Sequence, residues 1–274
     1  QQKQLLEYPS IHSPVVGERG MVVSQSAPAS QVGTAILRGG GNAVDAAVAT
    51  AFALAVTLPR AGNIGGDGFM LIHDAKTGRD VVVDFRSVAP QGAKLSMFID
   101  DRGREAPAAS RGYLAPSVPG TVAGLYLAQR KYGRLAWADV VKPAIALAEQ
   151  GITLTPDEAF VFSWGRQRLS TSAAARAAYY RADGSLYRAG ETMKLPDLAW
   201  TLRQIAARGA DGFYKGEVAQ RIASDMKAHG GLITLDDLNA YRPIERAPLL
   251  GEYRGIRVVT TPPASAGGAT LINM

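Results

Sequence analysis

Cysteine is absent from all 274 residues, which excludes disulfides and thiolate metal sites and leaves the redox compartment open. Histidine is scarce. His12, His73 and His229 lie far apart, and none has a partner at the close spacing that metal motifs need. No metal is therefore expected, and no Ser/His/Asp triad or Gly-x-Ser-x-Gly elbow can be built. Long apolar runs are missing too. The longest, 46–58, falls short of the roughly 20 residues that span a bilayer, so no membrane span is expected. Nor is charge of one sign concentrated. The net charge is +6, but Lys and Arg are scattered without a run of four or interleaved aromatics, which argues against a nucleic-acid partner. Internal repeats, coiled-coil heptads and low-complexity tracts are also absent.

What remains is an ordinary globular balance of 47% apolar and 20% charged residues with abundant glycine, expected to form one domain over 1–274. Residues 1–20 lack periodicity and read as an extended arm. The chain opens on Gln1 with a polar stretch and no Met, which fits an export signal already removed and a periplasmic or secreted location, and fits equally a sequence trimmed at that point. Residues 20–25 read as a short strand, with Met21 and Val23 on one face. Pro28 suits the first turn of a helix to about Arg38, with Val32, Ala35 and Ile36 as its apolar stripe. Gly39, Gly40 and Gly41 stop it. Asn42 then caps a second helix, with Asp45 in its first turn. From 46 to 58 that helix is apolar nearly all round and rich in Ala, so it is expected to be buried on every side.

A glycine loop at 62–68 follows. Its pattern invites a phosphate-loop reading, but such loops follow a strand and open a helix, whereas this one does the reverse. It reads as a device for crossing a crowded layer. A hairpin leaves it, with strands at 69–73 and 81–86 and a turn at 74–78. In the second strand Val81, Val83 and Phe85 share one face, while Val82, Asp84 and Arg86 share the other. The middle of the chain is helical: 121–132, 136–150 (broken or restarted at Pro143), a capping box at 155–158, then 195–208 and 217–229. Val218, Ile222 and Met226 line the last of these. A short helix starts at Thr234, and 250–260 returns to β with a turn at Arg254 and Gly255. The tail, 269–274, looks like a helix start cut short, which predicts that the sequence is part of something longer.

Arg86 stands out. A guanidinium at the end of a buried strand must be matched by an acid or a bound anion. Two readings stand open on chemistry alone. One is a structural pair with Asp84. The other is a bidentate clamp on a substrate carboxylate, which an arginine fork fits and a lysine does not.

The sequence resembles the large-subunit part of γ-glutamyltranspeptidase precursors. The likeness runs from about Gly20 to the end and rests on motifs in order: GGGNAVDAA (39–47), GNIGGDGFM (62–70), DFRSVAP (84–90), VPGTVAG (118–124), GFYKG (212–216), GGLIT (230–234), YRG (253–255) and PPASAGG (262–268). The resemblance implies an α/β fold, the N-terminal-nucleophile hydrolase αββα sandwich, incomplete in this chain and with a largely helical middle. It implies a self-cleaving precursor whose small subunit begins with the nucleophilic threonine, and no cofactor. The implied partners are that small subunit and glutathione or another γ-glutamyl compound, whose acyl group passes to water, an amino acid or a peptide. No residue of this chain is expected to be catalytic. Arg86 matches the family arginine that holds the glutamyl α-carboxylate, which favours the clamp. Two departures are Asp67, where many members have glycine, and Ser87, where glutamate is common. Neither is expected to touch the clamp by itself, but Ser87 removes a nearby charge, which gives it a route to retune acceptor or substrate preference. The alternatives are a cephalosporin (glutaryl-type) acylase of the same family, or a diverged non-enzymatic fragment.

Overall fold

A computed structural model describes residues 15–106 and 110–274. The expected arm at 1–20 and His12 therefore lie largely outside the described residues. In order the elements are α1 (Ala27–Arg38), α2 (Ala43–Thr57), β1 (Phe69–Asp74), β2 (Arg79–Asp84), α3 (Thr121–Tyr132), α4 (Trp137–Gln150), β3 (Ile152–Thr153), α5 (Pro156–Trp164), α6 (Arg166–Leu169), α7 (Ala173–Tyr179), β4 (Thr192–Met193), α8 (Pro196–Arg208), α9 (Asp211–Tyr214), α10 (Gly216–Ala228), α11 (Leu235–Ala240), β5 (Ile244–Arg246), β6 (Leu249–Tyr253), β7 (Ile256–Thr260) and α12 (Ala266–Asn273). They divide into two compact units. One holds the chain up to Asn63 together with Gly133–Ala206, and the other holds Ile64–Tyr132 and Ala207–Met274.

The first unit is built on α2. Val48, Ala49, Phe52 and Ala53 are all wholly buried, as its all-round apolar sequence requires. Its N-terminus is closed by a reciprocal box: Asn42 accepts from the Val44 and Asp45 amides, and Asp45 accepts from the Asn42 amide at 2.9 Å. The Asp45 carboxylate, itself fully buried, also accepts the amides of Arg134 (2.9 Å) and Leu135 (3.3 Å). It thus pins α2 to the entry of α4. The core beside it is Trp137, edge-on to Phe52 at 5.6 Å, with its indole N–H on the Ile205 carbonyl.

Four expectations change in this unit. Residues 20–25 form no strand; Met21 and Val23 do share a face, but it is the exposed one, and Val22 turns inward to meet Gly33. The buried stripe of α1 is Ala29, Gly33 and Ile36, with Ala35 outside. Pro143 neither breaks nor restarts α4. Its neighbours Val140, Val141, Ala144 and Ala148 are fully buried, and that packing outweighs the one lost backbone bond. At α5 only half of the capping box forms: Thr155 accepts the Glu158 amide, while the Glu158 side chain pairs with Arg60 instead.

The second unit is built on a three-stranded antiparallel sheet in the order β1-β2-β5. The β1–β2 hairpin pairs Phe69 with Asp84 and Asp74 with Arg79. The middle strand β2 is covered on both faces, which is why Val82 and Val83, pointing opposite ways, are both fully buried. β6 and β7 form a separate hairpin whose turn places Arg254 at φ 51, and α12 follows. Thr234 and Asp237 form a complete capping box on α11.

Candidate active site

The second strand of the hairpin stops at Asp84, so Arg86 lies just beyond the sheet rather than within it. The residue between them, Phe85, is what fixes this exit. Its amide donates to the Gly68 carbonyl at 3.0 Å. Its ring and backbone sit in a seat from which three side chains have been removed. A Cβ on Gly68 would lie 2.9 Å from the ring, and one on Gly124 only 2.2 Å from it. One on Gly120 would lie 2.1 Å from the Phe85 carbonyl oxygen. The glycine loop also feeds α3: the Gly66 carbonyl accepts the amides of Gly120 (2.8 Å) and Thr121 (3.1 Å). The first amides of α3 are thus satisfied by the loop's own backbone.

Beyond Phe85 the backbone of Arg86 is held at both ends. Its amide donates to Asp84 Oδ1 at 3.0 Å, and its carbonyl accepts the Tyr241 hydroxyl at 2.9 Å. Tyr241 stacks on Tyr214 with centroids 5.6 Å apart and planes 10° from parallel. Tyr214 is itself tied to the Pro119 carbonyl at 2.8 Å. Burial, then the nearby Asp84 and Asp67 charges, push the Tyr241 hydroxyl well above its ordinary pKa, so it remains a donor.

The side chain of Arg86, by contrast, is half exposed. The expectation of a buried guanidinium is therefore corrected, because the strand ends before it. The pairing with Asp84 is corrected as well. The Asp84 carboxylate is nearly buried and is taken by Arg246, whose Nε lies 2.6 Å from Oδ2. A residue from β5 thus supplies the counter-charge that strand alternation assigned to Arg86.

The acid that does face Arg86 is Asp67. Its Oδ1 lies 3.5 Å from Arg86 Nη1. Its Oδ2 accepts the Ser87 hydroxyl at 2.6 Å and the Ser87 amide at 3.0 Å. Burial raises the Asp67 pKa, but the two Ser87 bonds and the Arg86 charge outweigh it, and the net shift is downward. Asp67 and Ser87, the two departures from the family pattern, are therefore bonded to each other and adjoin the arginine. The expectation that neither touches the clamp is corrected for Asp67. Sequence reasoning missed Tyr241 and Arg246 altogether, and neither lies in a segment whose pattern signals a site.

His73 Nδ1 sits 2.7 Å from Asp80, and His229 stacks on Tyr113 at the end of α10. No cluster of three metal-ligating side chains occurs among the described residues.

A γ-glutamyltranspeptidase family model matches residues 29–274. A glutathione hydrolase proenzyme from Pseudomonas sp. (strain A14) is 45% identical over 260 residues, which is 94% of this chain and 45% of that protein. The crystal structure of Helicobacter pylori γ-glutamyltranspeptidase superposes with a TM-score of 0.92 at 42% identity, covering 94% of this chain and 74% of that one. Cephalosporin acylase from Bacillus halodurans gives 0.85 at 34% identity, covering 95% and 49%. The chain thus spans less than half the length of the curated relative named here. The likeness bears out the expected N-terminal-nucleophile hydrolase fold, in mixed α/β form with small sheets.

Proposed function

This chain belongs to the γ-glutamyltranspeptidase family, and from that premise we propose that it is the large-subunit portion of a two-subunit γ-glutamyl transferase/hydrolase. Its partner is a small subunit from the same precursor, which supplies the threonine nucleophile. The threonine oxygen attacks the γ-carbonyl carbon of glutathione or a related amide, the C–N bond breaks, and the amine leaves with a proton. Water or an amine then takes the acyl group from the threonine. Location in the periplasm or outside the cell is part of this reading. Among the described residues no helix is long and apolar enough to cross a membrane.

The role of Arg86 is to hold the α-carboxylate of the donor. The observation that carries this is an exposed guanidinium on a fully tethered backbone. Among the described residues one long contact engages its five donors, so a planar fork stands ready for a carboxylate. A charge-assisted bidentate pair contributes about 1.5–3 kcal/mol, or roughly 10- to 150-fold in binding. In the complete enzyme, Arg86→Ala is expected to raise KM for γ-glutamyl-p-nitroanilide by about that factor, with precursor cleavage intact. An unchanged KM defeats the assignment. Arg86→Lys, which keeps the charge but not the fork, is expected to recover little of the loss.

A second reading has support in the likeness to the Bacillus halodurans cephalosporin acylase. A glutaryl side chain also ends in a carboxylate, and Arg86 suits it equally. The two substrates differ in the ammonium group beside that carboxylate.

A further inference from the structure

We infer that Arg246 is a positioning residue for Arg86, acting through the Asp84 carboxylate that the two share. The inference rests on the reading of Arg86 as the carboxylate clamp.

The sheet register puts the pair in place. Ile244 stands opposite Asp84 and Arg246 opposite Val82, so Arg246 is the diagonal neighbour of Asp84. A side chain as long as arginine spans that diagonal, and its Nε comes to 2.6 Å from Asp84 Oδ2 in a charge-assisted bond. This is the one ion pair that meets Asp84 among the described residues. The other oxygen of the same carboxylate, Oδ1, accepts the Arg86 amide at 3.0 Å. A carboxylate that takes the amide two residues on closes an Asx turn, a local bend that competes with the strand ladder. One rigid group thus faces β5 with one oxygen and the backbone of Arg86 with the other.

What keeps that group in its orientation is the counter-charge. The Asp84 side chain is only 7% exposed, so it meets little water where it stands. With Arg246 removed, a buried carboxylate loses its partner and must turn toward solvent. Turning lifts Oδ1 away from the Arg86 amide. The tether that remains is the Tyr241 hydroxyl on the Arg86 carbonyl, which fixes one end of the residue and frees the other. Arg246 therefore sets the direction in which the Arg86 fork leaves the sheet, without touching what the fork holds. Its own side chain is 41% exposed, so direct contact with a donor is the competing role, and the test separates the two.

The test uses the complete enzyme and γ-glutamyl-p-nitroanilide. Arg246→Met is expected to raise KM about tenfold with kcat within about threefold of the parent, the pattern of weakened ground-state holding. Arg246→Gln, which retains a donor for the carboxylate but not the charge, is expected to raise KM about threefold and serves if the first variant does not fold. Two double variants identify the route. Asp84→Asn with Arg246→Met keeps an acceptor for the Arg86 amide and removes the charge that needed a partner, so KM is expected to return to within about threefold of the parent. Asp84→Leu with Arg246→Met has no acceptor, and KM is expected to stay about tenfold raised. Equal KM values in the two double variants overturn the inference, and so does a KM within about twofold of the parent in whichever single variant folds. Arg86→Ala separates the two readings. An unchanged KM there removes the clamp itself, whereas a raised KM there beside a parental KM in the Arg246 variants removes only the positioning role. On the Arg86→Ala background, Arg246→Met is expected to change KM by less than about twofold, and a further tenfold rise shows direct contact and overturns the inference.

Discussion

Gly120 offers the sharpest link between packing and the position of Arg86, and its replacement by alanine can be worked through. The new methyl would lie 2.1 Å from the Phe85 carbonyl oxygen and 2.1 Å from the Tyr241 hydroxyl. Ordinary contact needs about 3.5 Å, so each neighbour must retreat by more than roughly 1 Å. Neither is the loose end of a flexible chain. The first belongs to the peptide immediately before Arg86, and the second is a ring stacked on Tyr214. Overpacking of this kind costs about 1–3 kcal/mol, and breaking the Tyr241–Arg86 bond adds about 1 kcal/mol. The expected loss is therefore about 2–4 kcal/mol, read as a lower urea midpoint at constant m. Because the displaced peptide carries Arg86, kcat/KM for γ-glutamyl-p-nitroanilide is expected to fall by up to about 100-fold, the cost of a 1 Å misplacement. Gly65→Ala is the control. Nothing lies within 4 Å of its added methyl, so it should stay within about 0.5 kcal/mol of the parent. A Gly120→Ala enzyme with the parent's urea midpoint and KM would refute both the packing account and its connection to Arg86.

Two further outcomes concern stability. Asp45→Ala takes the shared acceptor from the part-buried amides of Asn42, Arg134 and Leu135, and is expected to cost about 1–3 kcal/mol in urea unfolding; a loss below about 0.5 kcal/mol would mean those amides find other partners. Asp237 supplies a pH dependence. Burial raises its pKa, but the amide of Gln91 and the hydroxyl and amide of Thr234 more than compensate, so the folded value lies below the unfolded one. Its contribution is therefore present above the unfolded value of about 4 and is lost as pH falls through the folded one. The urea midpoint should drop below about pH 4, and Asp237→Asn should flatten that part of the profile; an unaltered acid limb in the variant would show that other carboxylates cause it.

Much of this was legible in the sequence because it is local. The burial of α2 follows from an apolar helix with no polar face, and its start from Asn42 and Asp45 three residues apart. The hairpin and the α11 cap are likewise short-range signals. What was not legible involves partners far along the chain. Alternation places Asp84 and Arg86 on one face, but it cannot show that Arg246, 162 residues on, takes the carboxylate first. Nor can a turn rule show that the Tyr241 hydroxyl reaches the Arg86 carbonyl. Pro143 misled for a related reason: the local cost of proline is real, but the buried residues around it decide the outcome. Asp67 and Ser87 were visible one at a time as departures from a pattern. Only the fold shows them 2.6 Å apart.

The seat of Phe85 has a consequence for how such a site can change over time. Its walls are three missing methyl groups, at Gly68, Gly120 and Gly124, and what they position is the next residue along. A glycine has no smaller neighbour to mutate to, so each of the three can vary in one direction only, towards bulk and misalignment. Gradual adjustment of the arginine's aim is therefore closed off on that side. The opposite side, formed by the Asp67 and Ser87 side chains, can vary in size, charge and hydrogen bonding while the arginine stays where it is. Under the role proposed for Arg86, the surroundings of its guanidinium can therefore change more readily than its position.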